Sequence, residues 1–188
     1  MITASSKSAW LVLLAGLAGW LASCTLTYER FKLFVNPAYK ASCSINSVLS
    51  CGSVMKAEQA AVFGFPNPLI GIVAFSVVVT LGVLAVLGVG FPRWIWIALW
   101  GGTVLGIAGI CWLIFQSLYR INALCPYCMV VWVATPLLFA ATTKIAFGSS
   151  RGVLRVLCEW RWTLVAVFYA AVVVLVFLNF QDYWTSLF

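Results

Sequence analysis

Long apolar runs separated by short polar turns dominate the chain. Five of these runs reach about 20 residues, the length that an α-helix needs to cross the roughly 30 Å of hydrocarbon in a bilayer. The predicted spans are residues 9–28, 68–90, 94–118, 126–147 and 162–180. The pattern therefore predicts an all-α polytopic membrane protein with five transmembrane helices.

One segment between the spans, residues 30–67, is long enough to form structure outside the bilayer. Within it, the apolar positions of Val54 to Phe63 fit a short amphipathic helix that lies on the membrane surface. Pro66 and Pro68 end that helix, and Pro68 suits the first turn of the second span because its missing N–H has no helical partner to lose. Little sequence remains elsewhere, so we expect a single domain over residues 1–188.

Composition agrees with a lipid environment. Hydrophobic residues make up 64% of the chain and charged residues 8%, and such a chain could not cover a soluble surface with polar groups. The net charge is +7, but the chain contains no basic soluble module, which argues against nucleic-acid binding. In a membrane protein the positive charge relates instead to orientation and to contacts with lipid headgroups. The first run follows Lys7 as a signal peptide would, but it is too long and no small-residue cleavage site follows, so we expect a retained span.

The basic residues indicate the orientation. They are densest between the last two spans, at Lys144, Arg151, Arg155 and Arg161. The positive-inside rule therefore predicts a cytoplasmic amino terminus and a cytoplasmic loop between the last two spans. The segments between spans one and two and between spans three and four then face the extracytoplasmic side, where thiols become oxidised.

Seven cysteines and no histidine narrow the chemistry toward thiols. Cys125 and Cys128 form a Cys-x-x-Cys motif at the predicted start of the fourth span, with Pro126 in its first turn. The free N–H groups and the dipole of a helix start stabilise a thiolate, which makes Cys125 a competent nucleophile in disulfide exchange. We expect Cys125 to be exposed and Cys128, one turn deeper, to face the bundle interior.

Cys43 and Cys51 are separated by seven residues, so a loop can bring their sulfurs together as a disulfide on the same side of the membrane as Cys125. A Cys-x-x-Cys ring is too short to constrain the unfolded chain much, so it suits a redox centre better than a structural link. Two alternatives stay open: a four-cysteine zinc site, and a transporter or scaffold with static disulfides. No function is predicted for Cys24, Cys111 or Cys158.

The order of these motifs resembles the vitamin K epoxide reductase family, and most closely its bacterial, disulfide-forming members. The matching pieces are Cys43 with Ser50-Cys51, the run Asn67-Pro68-Leu69-Ile70-Gly71, and Cys125-Pro126-Tyr127-Cys128. The resemblance covers residues 9–147. It implies a bacterial inner-membrane protein in which four of the five helices form a bundle around a quinone site.

The resemblance also implies the reaction, a thiol:quinone oxidoreductase that supports disulfide bond formation. Cys43 and Cys51 would take electrons from a separate thioredoxin-fold (DsbA-like) partner, because no fused thioredoxin-like domain is expected here. Cys51 would then exchange with Cys125 through a mixed disulfide. Cys128, paired with Cys125 in the oxidised form, would pass electrons to a quinone, either menaquinone or ubiquinone.

The resemblance implies that Asn67, Ile70 and Trp132 bind the quinone, beneath a roof formed by residues 54–66. Asn67 would donate a hydrogen bond to a quinone carbonyl, although an asparagine between prolines also commonly caps a helix. Trp132 stands four residues after Cys128, where mammalian members carry a tyrosine, and an indole cannot act as a phenolic acid. Quinone reduction is therefore favoured over the alternative, epoxide reduction of the mammalian type. No metal is expected.

Overall fold

The structure, a computed structural model, describes residues 1–46, 48–62 and 64–181. Five of its helices are long and apolar enough to cross a membrane, which confirms the prediction of an all-α membrane protein with five spans. In chain order the α-helices are α1 (Ser6–Val35), α2 (Cys51–Lys56), α3 (Asn67–Val86), α4 (Arg93–Gln116), α5 (Pro126–Phe147) and α6 (Val153–Asn179).

Helix α5 lies at the centre of the bundle. It packs against α1, α4 and α6, and α3 packs against α1. In its most apolar stretch, 67% of the α5 residues are buried, against 6% for α6, so α6 leaves most of its surface to lipid. Small residues permit the close contact of α1 with α3: a Cβ on Gly19 would overlap the Phe75 ring, and one on Gly82 would lie 2.9 Å from the Leu13 Cα.

Two helices are longer than the sequence predicts. Helix α1 continues to Val35 because no residue that breaks a helix occurs before Pro37. Helix α6 begins at Val153, directly after Gly152 with its φ of +67°, and not at residue 162. The predicted basic loop is correspondingly shorter, and Arg155 lies in the first turn of α6.

The surface helix predicted for Val54 to Phe63 was wrong in its bounds. Helix α2 starts at Cys51, where the Ser50 hydroxyl caps it by accepting a hydrogen bond from the Ser53 N–H. It ends at Lys56, and a 3₁₀ turn, Glu58–Ala61, follows. Phe63 lies outside the described residues.

A second irregular segment leads from α4 into α5. The end of α4 widens into a π-helical turn, Ser117–Ile121, and Asn122 then takes a left-handed conformation with φ of +52°. Asparagine tolerates this backbone better than most residues do. The turn reverses the chain and brings Cys125 back to the end of the bundle at which α2 lies, called the cysteine end below.

Candidate active site

Four cysteines meet at the cysteine end of the bundle. Cys43 and Cys51, called the loop pair, are joined by a disulfide. Cys125 and Cys128, called the motif pair, are free thiols. The Sγ atom of Cys51 lies 3.1 Å from the Sγ atom of Cys125. Because these sulfurs are already in contact, a bond can pass from one pair to the other without large movement of the chain.

The start of α5 determines the chemistry of Cys125. Cys125 is the residue before the helix, and Pro126 occupies the first helical position. A hydrogen bond from the Cys128 thiol lowers the pKa of Cys125, and the N–H groups of Cys128 and Tyr127 add to this effect, while burial opposes it. The net effect is a lowered pKa, so Cys125 is the thiol that most readily becomes the nucleophile.

The prediction that Cys125 is exposed was wrong, because its side chain is completely buried. It packs in an apolar cluster with residues of α1 and α2. A short parallel pairing of the chain lies beside it: the Leu124 N–H donates to the Val48 carbonyl at 2.7 Å, and the Ser50 N–H donates to the Leu124 carbonyl at 3.0 Å. Each strand of this pairing leads directly into one of the two cysteines in contact. Leu124 and Val48 are ordinary apolar residues, so no feature of the sequence identifies this role.

The loop between Cys43 and Cys51 folds back on itself. The Ser44 hydroxyl accepts a hydrogen bond from the Gly52 N–H at 3.1 Å, which ties the residue after one cysteine to the residue after the other. The Asn46 side chain accepts from the backbone of the residues that follow it, as in an Asx turn. Ser47 lies outside the described residues. This folded loop holds the loop pair within bonding distance.

Cys128 lies between two apolar clusters. On one side it packs against the group that contains Cys43, Cys51 and Cys125. On the other it packs against a group from α4, α5 and α6 that contains Trp132. Cys128 is only half-buried, whereas Cys125 is completely buried, so the expected order of exposure within the motif pair is reversed. Its contact with the second cluster nevertheless places Cys128 beside the helices that would hold an electron acceptor.

The three predicted quinone contacts lie in different settings. Trp132 is buried, and within the described part of the chain its indole N–H has no hydrogen-bond partner. Asn67 donates to the Gln59 carbonyl at 2.8 Å and accepts from the Val62 N–H at 3.0 Å, so its amide holds the 3₁₀ turn. Ile70 is 41% exposed on α3 and, as far as the structure describes, belongs to neither cluster around Cys128.

The predicted disulfide between Cys43 and Cys51 is present, whereas Cys125 and Cys128 are in the dithiol form. Dithiol and disulfide forms interconvert in exchange reactions, so the pairing of Cys125 with Cys128 stays a prediction. A zinc site made of all four cysteines would need four free thiolates, and the loop disulfide occupies two of them.

A groove of about 350 Å³ opens beside the loop pair. Its wall includes Ser44 and Gly52, which directly follow Cys43 and Cys51, and Lys40 and Lys56 add positive charge. Cys43 retains 6% of its exposure, whereas Cys51 retains none. A thiol approaching from outside therefore meets Cys43 first.

Comparison with known proteins adds to this geometry. No curated protein matches the chain. The model of the vitamin K epoxide reductase family matches residues 10–143, a range that runs from α1 through most of α5 and includes all four cysteines of the site. With well over half of its 188 residues matched, the chain belongs to the vitamin K epoxide reductase family of membrane oxidoreductases.

Proposed function

We propose that this protein oxidises a thioredoxin-fold partner on the extracytoplasmic side of a bacterial inner membrane and transfers the electrons to a quinone. The loop pair receives the two electrons and the motif pair delivers them. The contact between Cys51 and Cys125, with sulfurs 3.1 Å apart, is the observation that carries this proposal. It supplies the one step that two separate disulfides could not perform.

The first step oxidises the partner. One thiolate of the partner attacks Cys43 and breaks its bond to Cys51, and the partner's second thiol then displaces Cys43. The partner leaves with a disulfide, and the loop pair becomes a dithiol that holds both electrons. Both cysteines are buried, but Cys43 keeps 6% of its surface and Cys51 none, which supports this order of attack.

The second step moves the electrons inward. The Cys51 thiolate attacks Cys125 in the oxidised motif pair, which forms a Cys51–Cys125 disulfide and releases Cys128 as a thiolate. Cys43 then attacks Cys51, which restores the loop disulfide and releases Cys125. The arrangement in the structure, a loop disulfide beside a reduced motif pair, corresponds to the state after this transfer.

The third step closes the cycle. A quinone accepts two electrons and two protons from the motif pair and becomes a quinol, while Cys125 and Cys128 close their disulfide. The unpartnered indole N–H of Trp132 supports a quinone carbonyl oxygen beside it. A buried donor without a partner costs free energy, and an acceptor on the quinone would remove that cost. In this proposal Asn67 uses the second hydrogen of its amide nitrogen, since the first already bonds Gln59.

The groove beside the loop pair supports a docking place for the partner. Lys40 and Lys56 on its wall favour a partner whose surface near the reactive thiols is acidic. We propose that the amino terminus and the basic residues around Lys144 face the cytoplasm. This orientation places the groove and the loop pair on the oxidising side.

Electron transfer in the purified, lipid-reconstituted protein tests the proposal. A reduced thioredoxin-fold protein serves as donor, and quinone reduction is followed by absorbance. We expect Cys125→Ala and Cys128→Ala each to lower the rate by a factor of about a thousand or more, because each removes a covalent step. Cys111→Ala, an exposed position on α4 away from the site, is the matched control. Undiminished turnover in either motif variant would refute the proposal.

A further inference from the structure

Glu29 is a buried acidic side chain that the proposed electron relay does not use. It lies on α1 and retains only 4% of its exposure. Both of its carboxylate oxygens accept hydrogen bonds from Ser42: Oε1 from the Ser42 hydroxyl at 2.7 Å, and Oε2 from the Ser42 N–H at 3.2 Å. Two donors pointing at two oxygens is the pattern expected of an ionised carboxylate, which can only accept.

An ionised carboxylate in a buried position must be stabilised by its surroundings. Burying an ionised group is costly unless hydrogen bonds and a countercharge offset the cost. Ser42 supplies two hydrogen bonds, and the nearby Tyr39 hydroxyl also favours the charged form. Lys32, one turn along α1, supplies positive charge and lies 5.3 Å from the centre of the Tyr39 ring. The group is therefore a complete polar network at the end of α1.

The network is attached to the loop pair through the backbone. Ser42 directly precedes Cys43, so Glu29 ties the backbone at Cys43 to α1, a helix that is packed against both α3 and α5. Cys51 is held separately, by the hydrogen bond between the Ser50 N–H and the Leu124 carbonyl. The two halves of the loop disulfide are thus fixed to different parts of the bundle, one by a side chain and one by the backbone.

We propose that Glu29 is a positioning residue for the loop pair: by holding Ser42, it keeps Cys43 where it can close on Cys51. This inference rests on the proposed relay. Fixing two thiols near each other raises their effective concentration and favours their disulfide. The negative charge near Cys43 acts in the same direction, because it disfavours the Cys43 thiolate of the reduced form. A more stable loop disulfide makes the reduced loop pair a stronger donor to the motif pair.

The test measures the loop disulfide alone. In a Cys125→Ala, Cys128→Ala background, the purified protein is equilibrated with mixtures of reduced and oxidised glutathione. The fraction of the Cys43–Cys51 disulfide is then read by thiol labelling. Hydrogen bonds to a charged group contribute about 1.5–3 kcal/mol, so we expect Glu29→Gln to lower the equilibrium constant for the disulfide about tenfold or more.

Matched variants make the result decisive. Ser42→Ala removes the hydroxyl donor and leaves the backbone donor, so we expect a shift of about threefold, corresponding to the smaller net value of one bond. Glu58→Gln, an exposed acid in the 3₁₀ turn, should stay within about twofold of the parent, because a surface charge contributes little. If Glu29→Gln does not fold, Ser42→Ala decides the question.

An unchanged glutathione equilibrium in both variants, with or without a lower melting temperature, would overturn the inference, since it would leave Glu29 only a general role in stability. The measurement involves no quinone and no partner protein. A negative result here therefore leaves the relay standing, and failure of the quinone assay leaves the positioning role of Glu29 intact.

Discussion

The loop pair and the motif pair lie in contact, yet they are built in different ways. Cys125 and Cys128 are held by the first turn of one helix, and every group that lowers the pKa of Cys125 comes from the next three residues. Cys43 and Cys51 depend on groups far away in the chain: Glu29 on α1 and Leu124 before α5. The motif pair owes its geometry mainly to local structure, whereas the loop pair needs tertiary contacts in addition to its own loop.

This difference suits the two roles. A thiol pair on a helix start has a fixed geometry and a fixed electrostatic environment, which is useful for delivering electrons to one acceptor in one place. A pair on a loop held by a few hydrogen bonds can alternate between an outside thiol and Cys125. The difference also predicts which substitutions should block electron transfer and which should only weaken it.

Removing one member of the loop pair should stop the relay at the mixed disulfide. In Cys43→Ala the Cys51–Cys125 disulfide can form, but its resolving thiol is absent, so this intermediate should accumulate. Turnover should fall at least about a hundredfold, because a covalent step is blocked. A protease site inserted in the turn between α3 and α4 separates the two pairs. On a non-reducing gel the two fragments should then stay joined only through Cys51 and Cys125.

Cys51→Ala is the control for this trap, since it removes the linkage, and its fragments should separate. Fragments of Cys43→Ala that also separate after exposure to quinone would show that the sulfurs in contact do not exchange. The two pairs would then be independent disulfides, and the structural difference between them would not reflect two roles in one relay.

Substitution of Trp132 tests the proposed quinone contact near the motif pair, and it should weaken quinone binding without blocking electron transfer. Trp132→Phe keeps an aromatic side chain and removes the N–H, so we expect the KM for quinone to rise about fivefold to tenfold, the value of one hydrogen bond. The fragments joined in the Cys43→Ala experiment should be unaffected. Trp96→Phe is the matched control, because Trp96 is also a buried indole without a described hydrogen-bond partner but belongs to the cluster around Ala146 and Phe147.

An equal rise in KM for both tryptophan variants would indicate a general loosening of the bundle, and no rise in Trp132→Phe would remove the indole from the quinone site. The quinone assay must use the intact chain in lipid. In the intact chain α4, α5 and α6 all contribute to the cluster to which Trp132 belongs.

Local features of this protein could be predicted from the sequence, whereas its tertiary contacts could not. The five spans and the position of Cys125 at a helix start depend on residues within one or two turns, so hydrophobic pattern and motif suffice for them. The burial of Cys125 depends on a cluster with residues of α1 and α2, which are far away in the chain. The partner of Glu29 is set by the path of the chain between α1 and α2, which no local pattern encodes. Tertiary contacts of this kind are visible only in the folded chain.

Substitutions of Cys128 test whether local groups at the start of α5 set the pKa of Cys125, and the expected effect is the smallest of those considered. Its thiol donates the hydrogen bond that contributes most to lowering the pKa of Cys125. Cys128→Ala should therefore move the pH midpoint for Cys125 thiolate formation upward, while Cys128→Ser, which keeps an O–H donor, should remain closer to the parent. In the reverse of the relay step the Cys125 thiolate attacks Cys51 of the loop disulfide. As the pH falls, this reverse attack should weaken at a higher pH in the alanine variant than in the serine variant. Ultraviolet absorbance of the thiolate, with Cys125→Ala as the blank, gives both midpoints. Identical titrations for alanine and serine would mean that the helix start and its N–H groups act alone on Cys125, and that Cys128 serves the relay only as the thiol that closes the disulfide.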